Sequence, residues 1–200
     1  MPLDAASTPE TIVPLARSGE HLRDLDQLPA SAAEPSQTVK EQVQAFLAHA
    51  ELVGLSTVGS NGWPVSHCMH FASANGPQMR PVLYLFTHEH KRKLTNIQGN
   101  PRVGAFVLEG RSDGDPATAP SLKIQGLATQ VTDPKEHQLA MECQFQKEGY
   151  EFARYLGLET QPALRIDVVS AVWQDPANGI APVTVDYSDT FSALDAPEAA

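Results

Sequence analysis

The chain is short of several features that would place it quickly, and each shortage excludes something. It has two cysteines in 200 residues, Cys68 and Cys143. Two cysteines make no disulfide framework, and nothing pairs them at a metal-ligand spacing. A reducing cytoplasmic setting is therefore expected. No stretch approaches the ~20 apolar residues that a membrane-spanning helix needs. No basic start leads into an apolar segment, so no secretory signal is expected. There is no basic excess either: the formal net charge is -10.

That acidity is uneven. Residues 1–36 hold six acids and two bases, and residues 175–200 hold five acids and no base. The segment 37–174 is nearly balanced, with thirteen acids and twelve bases. A nucleic-acid partner needs a basic face, which this distribution does not offer. A small anionic ligand needs only local positive charge and is not excluded.

The hydrophobic fraction of 42% is enough for a core. The length suits one domain with extra chain at its ends. The expected division is an arm over 1–36, flexible or packed on a partner subunit, a folded domain over 37–175, and an acidic, irregular tail over 176–200. Within the domain, Thr38 and Glu41 have capping-box spacing, and Val39, Val43, Phe46 and Leu47 recur at helical intervals. A helix over 38–50 follows. Leu52–Val58 and Pro64–Phe71 read as a hairpin around Asn61-Gly62. Val82–Thr87 is almost wholly apolar and reads as a strand buried on both faces. Lys91–Gln98 reads as a short helix closed by Gly99-Asn100-Pro101. Val103–Leu108, Ser121–Val131 and Ala163–Gln174 are further strands. Asp133-Pro134 opens another helix as N-cap and first residue, with Leu139, Cys143 and Phe145 on its apolar side. About six closely spaced strands with few inserted helices give a mainly β fold, an antiparallel barrel.

The informative stretch is Phe86-Thr-His-Glu-His-Lys-Arg-Lys93. Three consecutive cations, Lys91, Arg92 and Lys93, stand where a buried strand hands over to a helix. A helix start already carries partial positive charge. Adding three cations there is unfavourable unless an anion lies close by. A phosphate held by backbone N–H groups, the Thr87 hydroxyl and these side chains would supply it. The competing reading is a solvated basic turn, and charge alone does not choose between the two.

Four segments in order extend the pattern: Gly59-Ser-Asn-Gly-Trp-Pro-Val-Ser66, Leu83-Tyr-Leu-Phe-Thr-His88, Lys91-Arg-Lys93 and Asn100-Pro-Arg-Val103. Together they resemble the flavin-binding split-barrel family of pyridoxamine-phosphate oxidases and general-stress flavoproteins, over residues 38 to 174. The resemblance implies a split β-barrel that binds FMN as a homodimer, with the cofactor between subunits and a small molecule as substrate. It implies that Val65, Ser66 and His67 lie along the flavin ring. Phe86 and Thr87 would lie near the ring and phosphate. Lys91, Arg92 and Lys93 match the phosphate-gripping Ser-Arg-Lys element. Ser121, Lys123 and Gln125 would face the flavin from across the dimer.

The sequence also departs from that family. His67 stands where the namesake oxidase has a phosphate-binding Arg, and a His is a conditional cation at neutral pH. Trp173-Gln-Asp-Pro-Ala-Asn replaces the family's Trp-Arg-x-x-Arg signature, so the namesake substrate does not carry over. His67 and His70 are the general acid–base candidates. Relatives of this fold that bind haem or F420 keep those cofactors as alternatives, with His67, His70, His88 and His90 as histidines available to iron. The alternative functions are a haem-binding or haem-degrading protein and a non-catalytic flavin-binding stress protein. Metal alone is disfavoured, because a strand puts residues three apart on opposite faces. Cys68 is expected to pack as a small apolar residue. Trp63 and Trp173 could each stack on a ring, with packing as the alternative.

Overall fold

The computed structural model describes residues 37–109, 118–149, 151, 154 and 157–190. The expected N-terminal arm therefore lies outside the described residues. Three helices, α1 (Gln37–His49), α2 (Arg92–Gly99) and α3 (Pro134–Glu148), accompany eight strands. These are β1 (Leu52–Val58), β2 (Pro64–His70), β3 (Ala72–Asn75), β4 (Pro81–Phe86), β5 (Arg102–Leu108), β6 (Ser121–Gln130), β7 (Ala163–Asp175) and β8 (Ile180–Asp186). Every strand pairing is antiparallel.

The strand order is β2-β1-β5-β6-β7-β4-β3, with β8 added on β7. β2 and β3 are thus the two ends of the path, yet only Phe71 separates them in sequence. Two successive Cα steps span at most about 7.6 Å. The two ends of the sheet are therefore held side by side, and the sheet must curl into a barrel. Phe71, at the joint, is fully buried.

The barrel interior takes one side of each strand: Val53 and Leu55 of β1, Leu83 and Leu85 of β4, Val107, Leu122, Leu164 and Ile166. From α1, Val43, Phe46 and Leu47 join this core, and the Phe46 ring lies 4.9 Å from that of Trp173. The other side of β4, Val82 and Tyr84, packs with Ala140 of α3. β4 is buried on both faces, as its apolar run implied. At the bulge in β6, a Cβ on Gly126 would lie 2.8 Å from Ile166 Cγ2 and 2.9 Å from the Asp167 carbonyl oxygen. Glycine is required there by close approach.

Three sequence expectations change. The first helix starts at Gln37, one residue ahead of Thr38. The chain after Asp175 is not irregular throughout: Ile180–Asp186 forms β8. β7 pairs with β4 only over Ala163–Asp167, which leaves the same edge free over Ser170–Asp175 for β8. Pro182 is tolerated because β8 is an edge strand. In α3 the buried residues are Ala140 and Gln144, whereas Leu139 is exposed. The Asp133 cap is as expected, accepting a hydrogen bond from the Lys135 N–H at 3.0 Å.

A polar network fastens α3 to the sheet. Arg165 donates to both Asp167 oxygens at 2.8 Å and to Glu136 Oε1 at 2.8 Å. Tyr84 donates to Glu136 at 3.1 Å, and Arg80, 4% exposed, lies 3.0 Å from Asp167. These carboxylates hold the Arg165 guanidinium charged, while burial and then Glu136 push the Tyr84 hydroxyl up to about 12. Removing one partner from a buried ionic set leaves uncompensated charge. Asp167→Ala is expected to destabilise the protein by about 3 kcal/mol in urea unfolding, whereas an exposed control, Asp189→Ala, changes little.

Candidate functional site

The site grows from the β4–α2 junction. β4 ends at Phe86, and the chain turns through Thr87, His88, Glu89 and His90 before α2. His90 sits at φ 61. This left-handed conformation is uncommon for a non-glycine residue. Lys91 is the N-cap of α2, makes no capping hydrogen bond, and no acid stands in the first turn. The helix start therefore has its positive end uncompensated by side chains of the described residues.

Lys93 is the unusual group. It is 9% exposed, yet among the described residues its ammonium donates only to the Thr87 hydroxyl, at 3.1 Å. Among the described residues no carboxylate pairs with Lys91, Arg92 or Lys93. Burial, and then the charge of Lys91, push the Lys93 ammonium below the usual lysine range. α2 is itself pinned to the β1–β2 hairpin: Asn96 Nδ2 donates to the buried Thr57 hydroxyl at 2.9 Å. Asn96 follows Lys93 by three residues, so one face of the helix presents both.

β2 supplies the next wall. Val65, His67 and Met69 stand opposite Thr57, Leu55 and Val53, so they share the core-facing side of the hairpin. Ser66 is on the other side, where its hydroxyl meets that of Ser56 at 2.7 Å. His67 Nε2 is buried and has no hydrogen-bond partner among the described residues. Burial first, then Lys93 and Arg92, hold the imidazole below the usual histidine range. It is a neutral group facing a cationic cluster. His70 instead pairs with Glu148 at 3.3 Å.

Two concavities flank α2. A groove of about 830 Å³ is bounded by the hairpin tip, Val65, Arg92 and Asn96. A pocket of about 240 Å³ on the other side is bounded by Phe86, Thr87, Lys91, Lys93 and Gln144. The expected residues His67, Thr87, Arg92 and Lys93 are thus brought together, with Val65 and Phe86 at the margins. Ser121 and Lys123 do not join them within one chain. Ser121 is buried on β6, and Lys123 is exposed there, opposite Phe106 and Val172. Cys68 is exposed rather than packed, because it stands on the side of β2 opposite the core-facing His67. Trp63, at the hairpin tip, is 72% exposed, while Trp173 is buried in the core. Sequence reasoning missed Asn96 and Gln144. The spacing of Asn96 from Lys93 was a usable signal; Gln144 gave none.

An eight-stranded, curled antiparallel sheet with a cationic helix start at its seam defines a split-barrel protein. The chain belongs to the pyridoxamine 5'-phosphate oxidase family, whose model matches residues 39–171. No curated protein matches the sequence. Solved structures with the same fold include ChuZ of Campylobacter jejuni, at 16% identity and TM-score 0.61, covering 81% of this chain and 65% of that one. A protein of Clostridium acetobutylicum related to general stress protein 26 has 15% identity and TM-score 0.56, with 77% and 98% covered. The haem storage protein HutZ of Vibrio cholerae has 16% identity and TM-score 0.52, with 64% and 88% covered. No helix among the described residues is long and apolar enough to cross a membrane.

The His67 environment gives a pH prediction. Its folded-state proton affinity is lower than in the unfolded chain, where the value is about 6.5. The unfolded chain then binds more protons within the window, so this group's effect is a loss of stability as pH falls below about 6.5. Melting midpoints measured from pH 7.5 to 5 should fall less steeply for His67→Gln than for the wild type.

Proposed function

We propose that the protein is an FMN-binding oxidoreductase acting on a small molecule, as a homodimer with the cofactor between subunits. The observation that carries this reading is the unpaired cationic cluster. Lys93 is buried beside Arg92 and Lys91, with a hydroxyl as its only hydrogen-bond partner and no carboxylate pairing with it among the described residues. A group of that kind is held at a loss unless an anion completes it. In this reading Arg92, Lys93 and Thr87 hold the phosphate, with the α2 N-terminus adding its dipole. Lys91, more exposed, adds long-range attraction. The β2 backbone at Val65, Ser66 and His67 runs along the ring, and Phe86 closes one end. Ser121 and Lys123 come from the second copy. FMN supplies electron or hydride transfer; the chain's own residues bind it, orient it and limit water. Of the two candidate histidines, His67 keeps a ring nitrogen with no partner among the described residues, whereas His70 is engaged by Glu148.

A haem-binding reading is supported by one feature. The buried His67 Nε2, without a partner among the described residues, is a neutral imidazole nitrogen of the kind that ligates iron. HutZ, described as a haem storage protein, shares the fold.

The cation reading is tested by titrating FMN and riboflavin, which lacks the phosphate, against wild type and Arg92→Ala/Lys93→Met. Charge-assisted phosphate contacts contribute about 1.5–3 kcal/mol each, so the double variant should lose at least ~100-fold in FMN affinity and leave riboflavin affinity nearly unchanged. Equal FMN affinity in the two proteins would refute the phosphate assignment.

A further inference from the structure

The smaller pocket contains a group that cofactor binding leaves unused. Gln144 of α3 is 2% exposed, and neither its Oε1 nor its Nε2 meets a hydrogen-bond partner among the described residues. Its companions on that side of the helix, Ala140 and Cys143, pack on β4 as apolar residues. Leucine or methionine would fill the same position without burying two unpaired polar atoms. A buried amide that stays unpaired within the chain marks a place where a ligand completes the hydrogen bonds.

The pocket around it has definite chemistry. Lys91, Lys93 and Thr87 line one part, and Phe86 and Leu158 supply apolar wall. Its volume of about 240 Å³ is below the ~300–1,000 Å³ of sites for drug-sized ligands, so it suits one ring with its substituents rather than a whole flavin nucleotide. If the cofactor phosphate engages Arg92 and Lys93, the exposed Lys91 remains as a single positive charge, which a monoanion matches.

We propose that this pocket takes a compact single-ring carboxylate, and that Gln144 selects it by pairing its amide with a ring hydroxyl or carbonyl. The carboxylate lies towards Lys91, the ring lies against Phe86 and Leu158, and Gln144 reads the polar substituent. A ligand without that substituent leaves the amide unpaired, which is the basis of strong rejection by sites built to hydrogen-bond. Calling the ligand a substrate rests on the flavin reading; the binding itself does not.

The test uses the full chain, with and without FMN, and calorimetry with benzoate, 3-hydroxybenzoate and 4-hydroxybenzoate as probes. The wild type should bind one hydroxybenzoate at least ~10-fold more tightly than benzoate. Gln144→Met should abolish that preference, keep benzoate affinity, and raise the ligand-free melting midpoint by about 2–4 °C. Gln144→Leu serves if the methionine variant does not fold. Lys91→Ala should weaken all three acids alike. No preference in the wild type, a preference surviving in Gln144→Met, or a lowered melting midpoint in both variants would overturn the inference. Absence of FMN retention with the hydroxybenzoate preference intact would overturn the flavin reading alone. FMN retention without that preference would overturn this inference alone.

Discussion

The single-residue link through Phe71 is the constraint on which the rest of the structure depends. β2 and β3 terminate opposite ends of a long antiparallel sheet, and one residue joins them. That link closes the sheet, sets its curvature, and encloses the interior shared by all the long strands. It also places the end of β2 beside the end of β4, because β3 pairs with β4 directly. The site lies at this seam. His67 from one end of the sheet and Thr87 from the other come together only because the sheet curls, and α2 bridges them. Lys147 of α3 reinforces the joint, with its ammonium 3.5 Å from the Phe71 ring centre and donating to the Leu47 carbonyl at 3.2 Å. Burial pushes that ammonium down to about 8.

A closed, apolar barrel explains why the cations at the seam matter. On the α3 side of the sheet, charged groups are satisfied by one another in the Arg165–Asp167–Glu136 network. At the α2 start this compensation is missing. Lys93 meets a hydroxyl, His67 Nε2 meets nothing among the described residues, and the Lys93 charge helps hold the imidazole below the usual histidine range. Natural cores rarely keep such groups without a reason, and unsatisfied buried polar atoms concentrate where something else binds. Gln144 follows the same logic on the opposite wall. The seam therefore gathers cations and buried polar atoms that no group among the described residues completes.

Much of this was legible in the sequence, for identifiable reasons. The apolar run Val82–Leu85 could only be a strand covered on both faces. Asn61-Gly62 marked the hairpin, and Gly62 does adopt φ 79. Asp133-Pro134 marked the start of α3. The Lys91-Arg92-Lys93 run marked the cationic start of α2. What was not legible depended on distant partners. β8 was hidden by its Pro- and acid-rich surroundings and forms because β7 outruns β4 and offers a free edge. The buried side of α3 could not be read from Leu139 and Phe145, because the strand it packs against selects Ala140 and Gln144. The pairing of Asn96 with Thr57 joins residues 39 apart in sequence, which no local pattern reveals. Cys68 was read as packed, but it stands on the exposed side of β2.

The central claim is that the seam binds a flavin through its phosphate. The most direct measurement is the absorption spectrum from 300 to 700 nm of the purified protein after incubation with FMN, and separately with haemin, followed by desalting. Flavin bands that remain with the protein at about one per chain are the predicted result. Loss of all flavin on desalting, together with a retained sharp haem band, would contradict it and put His67 at the centre as an iron ligand.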